Sequence, residues 1–373
     1  VISVVRVTAE HEAALAGFYR EVWDPTATAS SVAMVRRAGA AANRVTPGEP
    51  SPTFLVLQNE TAIGHVTTTP VQLWAGGAPH PAHWLKGLMV LPEHRNGPVG
   101  FLVLREAVRG LGTAMAMVVQ PAARRLFVAL GFTEYPALTN YLRLLRPARI
   151  ARQVDITALG MQGLPRWVGR GVALGQRSGL AAIGGALGGV AMSGVAAVRG
   201  GPAKAGVSVG SAPEPADVDQ LWRRVRGALA ATPVRDSSAL APRLSPSAGY
   251  LQVTVRCGEL VGYAAIRPPR GDGDPRLRGL RVATVSELVV PLGDPGFVLA
   301  TLAGAERAAA EADADALLCT ASHARLGSLL RRRAYLPLPG NVHLLARGAG
   351  LALPGALGDW WLTRGDSDAD EVF

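Results

Sequence analysis

Two distant stretches of the chain follow one pattern, and this limits the possible folds more than any other feature. Phe54-Leu-Val-Leu-Gln-Asn-Glu-Thr-Ala-Ile-Gly64-His65 is mirrored by Leu251-Gln-Val-Thr-Val-Arg-Cys-Gly-Glu-Leu-Val-Gly262-Tyr263. The spacing that follows is also kept. Gly64 to Pro92 is 28 positions and Gly262 to Pro291 is 29; Pro92 to Phe132 is 40 and Pro291 to Tyr335 is 44. In both copies the proline precedes a helical stretch, an apolar strand and a short helix ending in a Gly/Ala-aromatic pair. Two copies predict a duplicated domain, since a solenoid needs more repeats. A length of 373 residues suits two domains.

The first copy alternates short strands and helices. Ile2–Val7 is a predicted strand, and Ala14, Leu15, Phe18 and Val22 form a helical stripe that ends before Asp24-Pro25. Phe54–Leu57 and Ile63–Val66 are strands joined by a Gln58–Thr61 hairpin, and Leu85–Leu91 is a strand stopped by Pro92. Phe101, Leu104, Val108 and Leu111 share one face of a helix over Val99–Leu111. Ala114–Val119 is a buried strand, Pro121 and Gly131 bracket a helix, and Leu138–Leu145 closes the copy as its last strand. The expected class is α/β in the α+β sense. The boundaries are 1–147 for the first domain, 148–212 for a Gly/Ala-rich linker, 213–348 for the second domain and 349–373 for an acidic, aromatic tail.

Hydrophobic residues make up 49% of the chain and aromatics only 5%, so the core must be built from Ala, Val and Leu. Cys257 and Cys319 cannot form a disulfide framework and have no metal-ligand spacing. Val1–Val7 is too short for the apolar stretch of a signal peptide, and the expected compartment is the cytoplasm. The net charge of +10 does not point to nucleic acid, because the excess is arginine scattered along the chain with no aromatic stripe. Within the linker, Gly179–Val198 has 20 residues and no charge, but six are glycine and six alanine. Such a composition inserts poorly as a spanning helix. A small-residue helix between domains, or one lying on a membrane surface, is the expectation, beside a plain flexible linker.

The sharpest local signal is Val90-Leu-Pro-Glu-His-Arg95-Asn-Gly97-Pro98-Val-Gly100-Phe-Leu. A strand ends, a glycine-bearing turn carries an arginine, and an amphipathic helix begins. Free N–H groups at a helix start bind phosphate, and glycine lets an anion approach closely. This stretch resembles the GCN5-related N-acetyltransferase (GNAT) family, whose Val-x-Pro-x-x-Arg-x-x-Gly-x-Gly/Ala loop cradles the pyrophosphate of acetyl-CoA. Arg95 and Gly100 match its first and last positions, and Pro98 stands where the middle glycine is expected. Pro121–Phe132 resembles the later helix of the family, beside the pantetheine arm.

The resemblance implies two domains, each with a central mixed, mostly antiparallel splayed sheet flanked by helices. It implies acetyl-CoA as co-substrate, held by Leu88, Met89, Val90, Arg95, Asn96, Gly97, Val99, Gly100 and Phe127. The second copy reads Val290-Pro291-Leu-Gly293-Asp294-Pro295-Gly296 at the matching place. Asp294 before Pro295 is a helix cap whose carboxylate takes the N–H groups a phosphate needs. The second copy is therefore expected not to bind CoA in this way.

Many family members use a tyrosine as acid where this chain has Phe127 and Leu330. A carboxylate expected on the strand before the loop is absent from Trp84-Leu-Lys86-Gly-Leu, whereas Glu287 lies on the matching strand of the second copy. Candidates for proton transfer are Glu93, His94 and Glu287, with His65, His83, Tyr135 and Tyr141 behind them. Trp360 and Trp361 can anchor the tail, and Asp366, Asp368 and Asp370 can attract a cationic amine. The leading reading is transfer of an acyl group from CoA to a small-molecule or amino-sugar amine. Two alternatives are a non-catalytic CoA-binding protein, and an aminoacyltransferase of cell-wall or polysaccharide synthesis.

Overall fold

A computed structural model describes residues 2–153, 206–270, 279–367, 369 and 370. The 179–198 stretch lies outside the described residues, among which no helix is long and apolar enough to cross a membrane. The chain divides into two compact units. The first takes Val1–Pro136, Ala231–Val234 and Val342–Gly355; the second takes Ala137–Ala230, Arg235–Asn341 and Ala356–Phe373.

The first unit is built on β1 (Ile2–Arg6), β2 (Thr53–Gln58), β3 (Thr61–Ala75), β4 (Ala78–Val90), β5 (Thr113–Ala116) and β6 (Thr133–Ala137), joined by the later β9 (Ala231–Pro233) and β15 (His343–Arg347). The order across the sheet is β1-β2-β3-β4-β5-β15-β6, with β9 on β3. Both faces are covered, and β2 shows why its sequence is apolar throughout. Phe54 and Val56 face a core with α3 (Val99–Gly110), while Leu55 faces one with α1 (Glu12–Val22) and α2 (Ala29–Ala41). Val99, Val103, Leu104, Ala107 and Val108 form the buried stripe of α3. Pro121 opens α4 (Pro121–Ala129), and Gly131 leaves it at φ 85°.

Asn59 and Glu60, at φ 48° and 69°, make the expected tight turn between β2 and β3. A second such turn at Gly76 and Gly77 joins β3 to β4. It makes those strands 15 and 13 residues long, far beyond the apolar runs that mark them in the sequence.

The second unit holds β7 (Thr139–Leu144), β8 (Ser208–Gly210), β10 (Leu251–Cys257), β11 (Glu259–Arg267), β12 (Val282–Val289), β13 (Ala316–Ala321) and β14 (Leu336–Leu338). Their order is β14-β7-β13-β12-β11-β10-β8. Its helices are α5 (Pro147–Gln153), α6 (Pro215–Val225), α7 (Ser237–Leu244), α8 (Pro295–Glu311) and α9 (Ala324–Arg332). In each sheet one central pair is parallel, β4 with β5 and β12 with β13, beside antiparallel neighbours.

The repeat is reproduced at the hairpin bulge, although the second hairpin is one residue shorter. The β2–β3 ladder steps from Val56↔Gly64 to Leu57↔Ala62, and the β10–β11 ladder from Val255↔Gly262 to Arg256↔Leu260. Each hairpin carries the same bulge. A Cβ on Gly64 would lie 2.5 Å from Val99 Cγ1, and one on Gly262 would lie 2.0 Å from Thr301 Oγ1. The two glycines mark where α3 and α8 press against their hairpins.

One expectation changes. The strand predicted over Leu138–Leu145 forms, but β7 lies between β13 and β14 in the second sheet, with Tyr141 opposite Cys319. The first sheet receives β15 instead, with Ala346 opposite Met115. Two short apolar strands of similar length cannot be told apart by pattern, and only tertiary pairing decides which sheet each completes.

Candidate functional site

In the first unit, β4 pairs with β5 only from Ala82↔Thr113 to Trp84↔Met115, yet it runs on to Val90. Beyond Trp84 the two parallel strands part, and the β4 edge over Leu85–Val90 leaves the ladder. On its other side β4 stays paired with β3, interrupted where His65↔Met89 is followed by Thr67↔Lys86. Gly87 and Leu88 thus stand opposite Val66 alone, a bulge that Gly87 permits at φ 56°.

Beneath the bulge lies His65, fully buried. Its Nδ1 is 2.9 Å from the Gly87 carbonyl oxygen and its Nε2 is 3.3 Å from the Tyr19 hydroxyl. Burial pushes its pKa down to about 4, so the ring is neutral at pH 7. A carbonyl only accepts, so Nδ1 donates and Nε2 accepts from Tyr19. Phe18 stacks on the imidazole, and Tyr19 and Trp23 meet it edge-on. Burial raises the Tyr19 pKa, which keeps its hydroxyl protonated.

After β4 the chain passes through the Pro92–His94 turn into Arg95–Pro98 and then α3. Arg95, Asn96 and Gly97 are exposed, while Val99 and Gly100 are buried at the helix start. Arg95 Nε donates to the Val90 carbonyl at 3.1 Å, which holds the side chain against the end of β4. Among the described residues no side chain caps α3. A Cβ on Gly100 would lie 3.4 Å from Leu126, so this glycine also serves the approach of α4.

A pocket of about 440 Å³ opens between α1, α2 and strands β2–β4. Tyr19, Asp24, Arg36, Thr67, Thr69 and Lys86 are among its lining residues. Tyr19 therefore belongs both to this pocket and to the His65–Gly87 chain.

The other sequence candidates are placed as follows. Glu93 and His94 lie side by side on the turn, 4.0 Å apart, with the Glu93 carboxylate largely exposed. Leu88 and Val90 lean on the α3 side of the sheet and Met89 on the α1 side. Phe127 is packed in the core, its ring edge-on to Phe132 at 5.1 Å, rather than on the parted stretch of β4. The Tyr135 hydroxyl is spent on the Pro354 carbonyl. His83 sits on β4 before the strands part, and burial pushes its pKa down to about 4.

The second unit has the same framework with its openings filled. β12 pairs with β13 only as far as Val285↔Cys319. Residues from Trp360 to Gly365 enter where they part. Trp361 Nε1 donates to the Leu288 carbonyl at 3.2 Å, Gly365 N to the Ser286 carbonyl at 2.7 Å, and Arg364 Nη1 to Thr320 Oγ1 at 3.3 Å. Asp294 Oδ1 caps α8, accepting from Gly296 N at 3.0 Å and Phe297 N at 3.3 Å.

Glu287 is fully buried, 2.9 Å from Arg235 Nε, and Asp366 is 2.6 Å from Arg235 Nη2. Burial pushes the Glu287 pKa up, against the pull of Arg235. Asp370 accepts from Tyr250 and Ser286. The tail aspartates expected to attract an amine are thus spent inside the second unit, while Asp368 lies outside the described residues. Trp360 and Trp361 do anchor the tail.

Sequence reasoning missed Tyr19, Asp24, Arg36 and Lys86 as a group, because the fold gathers them from separate elements. Lys86 carried one signal, as one of only two lysines in the chain, beside a strand glycine.

No protein-family model matches the chain, and no curated protein matches it in sequence. Solved structures do. A conserved protein from Enterococcus faecalis V583, a probable N-acyltransferase, superposes with a TM-score of 0.57 at 12% identity, covering 94% of this chain and 73% of its own. A GCN5-related N-acetyltransferase from Anabaena variabilis gives 0.55 at 10% identity, covering 94% and 73%. The chain has the GCN5-related N-acetyltransferase fold. An N-myristoyltransferase from Saccharomyces cerevisiae with bound myristoyl-CoA gives 0.50 at 11% identity, covering 92% of this chain and 78% of that one. Both units of this chain carry one framework, a bulged hairpin, a parallel pair that parts and a helix beside the gap.

Proposed function

We propose that the chain is an acyl-CoA-dependent N-acyltransferase whose first unit holds the carrier and whose second does not. The observation that carries this reading is the contrast, among the described residues, between one GNAT framework whose β4 parts from β5 and whose α3 has no side-chain cap, and another with both positions filled. The N-myristoyltransferase neighbour, which binds an acyl-CoA, supports the class of carrier. Here acetyl-CoA would be held at its diphosphate by Arg95, Asn96, Gly97 and the first N–H groups of α3 at Val99 and Gly100. Leu88, Met89 and Val90 would offer backbone groups to its pantetheine arm. The carrier supplies an acyl group activated as a thioester.

The chain's own residues then handle the amine. The acceptor enters the α1–α2 pocket, and Tyr19, its proton committed to His65, presents oxygen lone pairs to an N–H donor there. The Tyr19 oxygen would thereby orient the acceptor nitrogen, while His65, held neutral by burial, would fix the direction of the Tyr19 hydroxyl. Glu93 and His94 remain proposed alternatives at the turn, and Glu287 is proposed as a structural carboxylate of the second unit.

Phe127, which has no hydroxyl to protonate a leaving thiolate, favours a second reading as a CoA-binding protein without turnover. Calorimetric titration with acetyl-CoA tests the shared part: binding is expected at micromolar Kd, and Arg95→Ala should weaken it about tenfold, the worth of one charge-assisted contact. Unchanged binding in that variant defeats both readings. CoA release with a panel of amines separates them.

A further inference from the structure

We infer that Trp23 sets the size of the acyl group this chain accepts: the first unit takes a carrier loaded with a short acyl group, such as acetyl or propionyl, and turns away one loaded with a longer chain. This deepens the proposed function and rests on it for the place of the carrier along β4.

Trp23 closes α1, its N–H donating to the Tyr19 carbonyl at 2.9 Å. From there the indole reaches the bulge of β4. A Cβ on Gly87 would lie 3.3 Å from Trp23 Cη2 and 3.6 Å from its Cζ2, so the far edge of the six-membered ring rests on the bulge. Three other rings brace it at steep angles. Their centroids lie 5.2 Å away for Tyr19, 5.3 Å for His65 and 6.1 Å for Phe18. Edge-to-face contacts of this kind are attractive and fix orientation. Even so, 48% of Trp23 is exposed, which leaves a braced, apolar surface standing beside the bulge.

A carrier arm that follows β4 beyond Trp84, where β5 has parted, brings its thioester end to that bulge. The acyl group then has two sides of the sheet to turn to. On the α3 side Leu88 and Val90 pack against the core that includes Val99. On the α1 side stands the Trp23 ring. An acetyl group sets one methyl against it. A longer chain has to displace a ring held by three others, and forcing extra methylenes against a packed wall costs affinity. Without the ring the sign reverses, because each methylene that gains apolar cover raises affinity about fourfold.

The test is equilibrium binding of acetyl-, propionyl-, butyryl- and octanoyl-CoA to the full chain, read by calorimetry, so it does not depend on turnover. In the unaltered chain acetyl-CoA should bind more tightly than octanoyl-CoA. Trp23→Ala should shift the ratio of the two affinities towards octanoyl-CoA by about tenfold or more. Trp23→Leu keeps an apolar stem against Phe18 but loses the ring over Gly87. It should shift the ratio the same way, and it carries the test where Trp23→Ala does not fold. Octanoyl-CoA binding to the unaltered chain as tightly as acetyl-CoA would overturn the inference, as would a ratio that neither variant moves. Both results leave the proposed function standing. Failure of that function shows separately, as no binding of any acyl-CoA or as acetyl-CoA binding that ignores Arg95→Ala, and it takes this inference with it.

Discussion

The Nδ1 of His65 lies 2.9 Å from the carbonyl oxygen of Gly87. That single contact ties the buried face of the first sheet to the bulge at which β4 leaves β5. It also fixes the proton on one side of the ring and so makes the Tyr19 hydroxyl the donor to Nε2, with its oxygen lone pairs left to face the pocket.

Burial holds both His65 and His83 at a pKa of about 4, against an ordinary value of 6.5. Unfolding lets them bind protons they refuse when folded. Their contribution to stability is therefore full above pH 6.5 and is lost as the pH falls towards 4, by about 1.4 kcal/mol per pH unit for each group. Chemical denaturation at stepped pH checks this. His65→Gln should lower stability at pH 7 and reduce the slope by about one proton.

Gly64→Ala and Gly262→Ala should each destabilise by roughly 1–3 kcal/mol, because the new methyl collides with Val99 or Thr301. The matching second-site changes, Val99→Ala and Thr301→Ala, should recover part of the loss. Thermal unfolding of single and double variants measures it.

Acetyl-CoA should bind one per chain. Asp294→Ala should not raise that number, since Trp361 and Gly365 still occupy the edge of β12. The variant should only lose the cap, about 1 kcal/mol. Calorimetric stoichiometry gives the answer, and a second equivalent would contradict it.

Arg235→Met leaves Glu287 and Asp366 without the cation that bonds both of them. Removing one partner from a buried ion cluster costs roughly 3–5 kcal/mol. Denaturation of this variant should show that loss, and Arg235→Met with Glu287→Gln should recover part of it.

Phe127→Tyr, the change that would restore a family-like acid, should destabilise and not activate. The ring is inside the core against Phe132, and a buried unpaired hydroxyl costs about 1–3 kcal/mol. Unfolding and CoA-release measurements on the same preparation decide it.

Much of the fold was legible because short-range chemistry controls it. The repeat could be read from Gly64 and Gly262 since each sits where a helix touches a hairpin. Asp294 could be read as a cap since capping is local. The partners of β7 and β15 could not be read, because pairing is decided by contacts across the chain. The polar stretches of β3 and β4 hid their true length: Thr67 and Thr69 carry no apolar alternation. Of the candidate site, the Arg95–Gly100 loop was visible as a motif. The pocket was not, because Tyr19 looks like one more member of a helical stripe and Lys86 like a solitary charge.

The crossed membership of β7 and β15 bears on how such a chain evolves. Neither ancestral half can be trimmed away, for each keeps a strand that its sibling's sheet requires. Removing the half whose cleft Trp361 closes would take β15 from the sheet that remains, so that half is structurally indispensable whatever it binds.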